Sequence, residues 1–82
     1  MSWLSLKVLD SPKRSVLISV PKKIIPRAVD RNRVKRLIRE AVRRDPYFEA
    51  EKRFTFKVLS HQPALKLQDV KKLIEELKKV AR

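Results

Sequence analysis

The side chains with the clearest chemical potential are concentrated in one basic segment, residues 21–44. This segment holds ten Lys or Arg residues and two acidic ones, so it carries a net charge of +8 out of +13 for the 82-residue chain. Guanidinium groups donate paired hydrogen bonds that fit phosphate oxygens, and they also stack on bases. The segment therefore predicts a binding site for a polyanion, and nucleic acid is the leading candidate.

A helix over residues 27–44 is expected to position these charges. Five apolar residues recur at helical spacing and predict one buried stripe: Val34, Leu37, Ile38, Ala41 and Val42. At about 100° per residue, the opposite side of the helix carries a polar arc. The arc consists of Asn32, Arg36, Arg39 and Arg43, flanked by Arg33 and Lys35, with Arg31 near its N-terminal end and Lys22 and Lys23 just before the helix.

Two other interpretations of this helix fit the sequence less well. A solvated surface helix would mix Glu and Lys, whereas residues 31–44 hold six Arg and one Glu. A membrane-surface helix would carry Trp or Phe beside the basic face, and residues 27–44 contain neither. Glu40 is interpreted as an orienting partner for Arg43 or Arg36, which lie three and four residues away. A protein partner stays open as a lesser alternative.

The rest of the sequence predicts a small α+β domain over residues 1–82, in the order β-β-α-β-α. Alternating residues predict strands at 3–9, 14–20 and 53–59, and a second amphipathic helix is predicted at 67–81. We expect the first two strands to form a hairpin. Phe54 and Phe56 are expected in the core, and Tyr47 and Phe48 are expected to anchor the loop after Pro46. The apolar stripe of the last helix is predicted to hold Val70, Leu73, Ile74, Leu77, Val80 and Ala81.

Several classes of function are disfavoured by composition. The chain has no Cys and one His, so a disulfide framework and a Cys- or His-based metal site are not expected. It has no Gly, which excludes a Gly-rich phosphate loop. No base–nucleophile pair suggests a catalytic site, and Asp45, Glu49 and Glu51 are interpreted as solvated charge. With no membrane-length apolar run and no signal-peptide pattern, we expect a cytoplasmic protein without a membrane partner.

The string from Ala28 to Arg43 closely resembles the signature of the protein subunit of bacterial ribonuclease P. Arg-Asn-Arg at 31–33, Lys-Arg at 35–36 and Arg-Glu at 39–40 stand at the spacings of that signature. Upstream, Ile18 to Lys23 is similar to the family's strand ending in Lys-Lys. The resemblance covers about residues 14–82.

This resemblance implies an RNA-binding, non-catalytic subunit of a ribonucleoprotein endoribonuclease, a hydrolase that removes the 5′ leader from precursor tRNA. The implied partners are the ribonuclease P RNA, in a 1:1 complex with a monomeric protein, and precursor tRNA. The RNA with Mg²⁺ would perform the chemistry, and no metal would be held by the protein alone. The implied fold has a left-handed βαβ crossover, although general chain rules favour the right hand. The alternative function is a structural RNA-binding module, ribosomal or of another ribonucleoprotein, without a processing role.

The resemblance also assigns roles to individual residues. It implies RNA contacts at Lys22, Lys23, Arg31, Asn32, Arg33, Lys35, Arg36, Arg39 and Arg43, with Glu40 as their orienting partner. The resemblance also implies a cleft on the sheet that takes the leader. Strand alternation makes Lys7, Ser19, Arg53 and Lys57 candidates for this cleft, and Trp3 is a candidate if it lies on the open face rather than covering the core. The family normally opens with a helix that forms one wall of this cleft. The sequence begins at the first strand, so we expect either a short form without that helix or a start codon assigned too far downstream.

Overall fold

The computed structural model describes residues 3–62 and 64–80, which form three strands and two α-helices. The elements are β1 (Leu4–Asp10), β2 (Ser15–Ser19), α1 (Ala28–Arg43), β3 (Lys52–Val58) and α2 (Leu67–Val80). A short 3₁₀ helix, Pro46–Glu49, joins α1 to β3. The α+β class and the order β-β-α-β-α are confirmed, whereas the 3₁₀ helix had no signal in the periodic pattern.

The three strands form one mixed sheet with β3 at its centre, in the order β1-β3-β2. β3 pairs antiparallel with β1 and parallel with β2. The predicted hairpin of the first two strands is therefore wrong, because these strands occupy opposite edges of the sheet. The centre suits β3 because its apolar residues, Phe54, Phe56 and Val58, are almost completely buried and gain neighbours on both sides. β2, α1 and β3 form a parallel βαβ unit. That its crossover connection is left-handed stays a prediction from the resemblance.

The register of the strands separates an apolar face from a polar face. On the apolar face the rows across the sheet are Val8–Phe54–Val16 and Leu6–Phe56–Ile18. Both helices contribute to the same core cluster as this face. The predicted core positions of Phe54 and Phe56 are thereby confirmed.

Each helix buries one stripe against the sheet. In α1 the buried residues are Val34, Ile38, Ala41 and Val42, and Leu37 is half-buried, as predicted. In α2, Val70 and Ile74 are buried, and Leu73 and Leu77 pack against the core. Val80 was also predicted in this stripe, but it is 83% exposed because the core ends one turn earlier, at Leu77. Ala81 lies outside the described residues.

The 3₁₀ helix fixes the chain between α1 and β3. Asp45 caps it, since its Oδ1 accepts a hydrogen bond from the Tyr47 N–H at 3.0 Å, and Pro46 follows at the first helical position. Phe48 is completely buried, and its ring meets the Phe54 ring edge-on at a centroid distance of 4.9 Å. Tyr47 packs against the same core. The predicted anchoring of this loop by Tyr47 and Phe48 is confirmed.

Lys78 ties α2 to the start of the 3₁₀ helix. Its Nζ lies 2.6 Å from Asp45 Oδ2 and 2.7 Å from Glu75 Oε1, and the Lys78 and Asp45 side chains are each only 15% exposed. Burial opposes the charged form of Lys78, but the hydrogen bonds to the two carboxylates outweigh it, so the pKa of Lys78 is raised. The interpretation of Asp45 as solvated charge is wrong, because the carboxylate is held between Lys78 and the Tyr47 N–H.

We expect Asp45→Asn to lower the free energy of unfolding by about 1–3 kcal/mol near neutral pH, because it leaves a half-buried ammonium with a weaker partner. Because the pKa of Lys78 is higher in the folded state, the stabilisation by the Lys78–Asp45 pair is fully present below the unfolded pKa of about 10.5. This stabilisation is lost as the pH rises through the folded-state pKa. Urea unfolding at about pH 7 and pH 11 should therefore show a smaller wild-type-to-variant difference at the higher pH. Glu51→Gln, at an exposed carboxylate, is the control; a difference independent of pH would contradict the assignment.

Candidate nucleic-acid interface

α1 presents the predicted basic arc to solvent. Asn32, Arg36, Arg39 and Arg43 are all exposed, while the apolar stripe of the same helix is buried. Four side chains at positions i, i+4, i+7 and i+11 therefore run along the helix in one line. The helix begins after Arg27 without a side-chain cap, and Asp30 places a negative charge in its first turn, where the helix dipole favours it.

The arc forms one wall of an open groove with a volume of about 1040 Å³. The side chains on the α1 wall are Asn32, Lys35, Arg36, Arg39, Glu40 and Arg43. The opposite wall is formed by Arg14 and Val16, around the start of β2, and by Glu49 of the 3₁₀ helix. The groove thus combines a helix face with the β2 edge of the sheet, and it brings together six of the predicted site residues, counting Glu40.

Glu40 occupies the position expected of an orienting residue. Its Oε2 lies 3.8 Å from Arg43 Nη1, so the structure selects the i, i+3 pair over the pair with Arg36. The Arg43 side chain is 77% exposed. An exposed pair of this kind contributes only a few tenths of a kcal/mol to stability. Its effect is therefore on the direction of the Arg43 guanidinium rather than on folding.

Arg31 and Arg33 lie outside the groove and bind backbone carbonyls of the protein. Arg31 Nη1 donates to the carbonyl oxygens of Ile25 at 3.0 Å and Pro26 at 2.6 Å, which fixes the segment before α1. Arg33 Nη2 donates to the carbonyl oxygen of Leu65 at 2.7 Å, which fixes the segment before α2. A guanidinium has five N–H donors, so each side chain keeps donors for another partner. The RNA contacts of Arg31 and Arg33 stay predictions, and the structure adds a structural role for both side chains.

This dual role separates Arg33 from Arg36. Arg33→Ala should lower the free energy of unfolding by about 1–2 kcal/mol, because the carbonyl of the buried Leu65 loses its donor. Arg36→Ala removes an exposed groove residue of the same type and should stay within about 0.5 kcal/mol of the wild type. Urea unfolding followed by circular dichroism measures both. Equal midpoints for the two variants would contradict the role assigned to Arg33.

Lys22 and Lys23 lie in the tight turn that precedes α1. The N–H groups of Ile24 and Ile25 both donate to the Pro21 carbonyl, at 3.0 and 3.1 Å, which folds this turn back on itself. Both lysines are exposed, but neither lines the groove. They extend the positive surface near the N-terminal end of α1, and their RNA contact stays a prediction.

The polar face of the sheet holds most of the predicted leader-cleft residues. Its rows are Ser5–Lys57–Ser19, Lys7–Thr55–Leu17 and Leu9–Arg53–Ser15. Lys7, Ser19, Arg53 and Lys57 are exposed on this one face. Trp3 differs from them, because it is half-buried and packs against the core. The structure therefore brings four of the five residues together and sets Trp3 apart.

Two charged groove residues, Arg14 and Glu49, were not among the predicted site residues. Arg14 was expected as the first residue of a hairpin strand, whereas β2 begins at Ser15, and Glu49 was expected to be solvated. Arg14 reaches the groove because β2 lies parallel to β3 at the sheet edge, and Glu49 reaches it because the 3₁₀ helix follows α1. Within residues 3–62 and 64–80, no three His, Asp or Glu side chains are placed to share a metal ion. No helix in this part of the chain is long and apolar enough to span a bilayer.

Comparison of the sequence with known proteins identifies its family. The sequence model of the family described as Ribonuclease P matches residues 2–82. A curated relative, the "Ribonuclease P protein component" of Chlorobaculum tepidum, is 71% identical over 28 residues. That alignment covers 34% of this chain and 18% of the relative. No solved structure matches. Because the family match spans almost the whole sequence and includes all of α1, the chain belongs to the ribonuclease P protein family.

Proposed function

We propose that this chain is the RNA-binding protein subunit of a ribonuclease P, which assists the endonucleolytic removal of the 5′ leader from precursor tRNA. The observation that carries the proposal is the line of exposed Asn32, Arg36, Arg39 and Arg43 along α1, opposite the apolar stripe that packs into the core. Membership of the family and the name of the relative from Chlorobaculum tepidum support the same assignment.

In this proposal the chain supplies electrostatics rather than catalysis. Arg36, Arg39 and Arg43 follow one another at about one helical turn, so their guanidinium groups can pair with successive phosphates of an RNA backbone. Asn32, with both a donor and an acceptor, can meet a base edge or a 2′-hydroxyl. Cleavage itself belongs to the RNA subunit, which would bind Mg²⁺ together with the substrate. Neutralising phosphates at the arc lowers the repulsion that Mg²⁺ must otherwise screen.

The polar face of the sheet is the proposed surface for the leader. Lys7, Arg53 and Lys57 place three cationic side chains there, next to serine hydroxyls. This face is less densely charged than α1, so its contribution to RNA affinity should be smaller. The proposed complex contains one protein and one RNA subunit and works in the cytoplasm.

Cleavage of precursor tRNA by a bacterial ribonuclease P RNA at limiting Mg²⁺, with and without this chain, tests the proposal. We expect faster cleavage at the mature 5′ end when the chain is added and no cleavage by the chain alone. The matched control is the chain with Arg36→Ala and Arg39→Ala, whose fold should be intact because both side chains are exposed. Binding to the RNA without any stimulation would favour a structural RNA-binding module, and no binding would overturn the proposal.

A further inference from the structure

The wall of the groove opposite α1 contains an arginine whose direction is fixed by the protein. Arg14 Nε donates to the backbone carbonyl of Phe48 at 2.5 Å. Phe48 is completely buried, so this acceptor is held rigidly by the core. The bond uses the Nε–H and leaves both terminal amino groups of the exposed Arg14 side chain without a role in that contact. A guanidinium held in this way is preorganised, so it can bind an anion in the groove with little further loss of conformational entropy.

Cationic groups therefore face the groove from both sides. Arg14 lies on one wall, and four cations lie on the α1 wall, against two carboxylates, Glu40 and Glu49. The half-buried Val16 adds apolar surface on the wall opposite α1. This combination suits a strand that offers phosphates to both walls and packs the apolar part of a base or ribose near Val16.

The dimensions favour a single strand over a duplex. The domain measures 34 × 23 × 22 Å, so a nucleic-acid duplex is about as wide as the whole domain and cannot enter a groove within it. We therefore expect a duplex to rest on the exposed α1 arc rather than to enter between the two walls. A single strand of a few nucleotides fits a volume of about 1040 Å³.

We propose that Arg14 is an RNA-contacting residue and that the groove between α1 and the start of β2 binds a single-stranded RNA segment from both walls. This inference rests on the proposed function and goes beyond it, because it names the form of the ligand and a contact outside α1. The phosphodiester chemistry is shared by two sources, the RNA subunit and the leader of precursor tRNA.

The test compares Arg14→Ala with Lys13→Ala, an adjacent exposed cation that does not line the groove. Both variants lose one positive charge, so a general electrostatic effect would be equal in the two. We expect Arg14→Ala to weaken RNA affinity about five- to tenfold and Lys13→Ala less than about twofold. Arg14→Gln keeps a side-chain N–H for the Phe48 carbonyl while losing the charge, so it separates binding from folding. It should weaken affinity as Arg14→Ala does.

Two arms distinguish the source of the strand. The first measures affinity for a bacterial ribonuclease P RNA alone, and the second measures the affinity of the assembled complex for precursor tRNA with and without its leader. Loss in the first arm assigns the strand to the RNA subunit, and leader-dependent loss in the second assigns it to the substrate; either supports the inference. If Arg14→Ala and Lys13→Ala change the RNA affinity equally in both arms while Arg36→Ala weakens it, the inference fails and the proposed function stands. If the wild type binds neither RNA, the proposed function fails.

The form of the ligand is tested by competition against ribonuclease P RNA. A single strand of about 12 nucleotides should compete better per phosphate than the same strand in a duplex. The advantage of the single strand should be smaller for Arg14→Ala, because that variant lacks the Arg14 contact on the wall opposite α1. We do not expect a duplex to use that contact. A duplex that competes equally well per phosphate, with the same response to Arg14→Ala, would overturn the two-walled groove.

Discussion

Replacing Phe48 with alanine is expected to remove about 3–5 kcal/mol from the free energy of unfolding. The Phe48 side chain is completely buried, and its ring lies 4.9 Å from Phe54, 5.6 Å from Phe56 and 5.1 Å from Tyr47, measured between centroids. Alanine would leave a cavity at the centre of this aromatic cluster. Small domains have a total stability of only about 5–15 kcal/mol, so the variant should be partly unfolded at physiological temperature.

Urea unfolding followed by circular dichroism measures this loss. Phe48→Leu, which refills most of the volume, should lose markedly less than Phe48→Ala. Leu17→Ala is the matched surface control, because Leu17 is 51% exposed on the polar face of the sheet, and its change should stay within about 0.5 kcal/mol. A Phe48→Ala midpoint close to that of Leu17→Ala would mean that the 3₁₀ helix is not anchored in the core.

Reversing two charges of the arc, with Arg36→Glu and Arg39→Glu together, should weaken binding to ribonuclease P RNA by about a thousandfold at low salt. The variant loses two phosphate contacts and adds two repulsive charges in the middle of the line. For the wild type, neutralisation of about six to eight phosphates predicts a slope of roughly −4 to −7 for log affinity against log salt. The variant should show a slope that is shallower by about two or more.

The control for this prediction carries the same change in net charge on another surface. Arg53→Glu with Lys57→Glu reverses two exposed cations on the polar face of the sheet. Both double variants should keep the wild-type circular dichroism spectrum, because all four side chains are exposed. An equal loss of affinity for the RNA subunit in the two would indicate diffuse attraction, and a wild-type salt slope near −1 would remove the arc as a site.

The elements of the fold could be predicted from the sequence because their signals are local. Period-two alternation located the strands, and the helical spacing of Val34, Ile38 and Ala41 located the buried side of α1. Periodicity determines which face of a strand is buried, but it does not determine which strands are neighbours. The hairpin prediction failed at that step, since pairing with β3 depends on residues more than 30 positions away along the chain.

The residues of the candidate site likewise fall into those that could be predicted from local sequence and those that depend on the tertiary fold. The arc of Asn32, Arg36, Arg39 and Arg43 could be predicted because helical geometry alone places these residues in one line. The role of Arg14 could not be predicted, because Arg14 faces α1 only once β2 has paired in parallel with β3. The carbonyl contacts of Arg31 and Arg33 depend likewise on how the segments flanking the helices pack, which leaves no trace in spacing or composition.

The central position of β3 also has a consequence for how the protein is made. Leu4 pairs with Val58, a partner 54 positions later, and neither edge strand pairs with the other. During synthesis β1, β2 and α1 are therefore made before β3, the strand that joins β1 and β2 into one sheet. Such non-local pairing slows folding and leaves apolar strand faces exposed in the meantime. A nascent chain shorter than about 60 residues lacks the complete sheet against which α1 packs, so the basic arc has its folded support only after β3 has been translated.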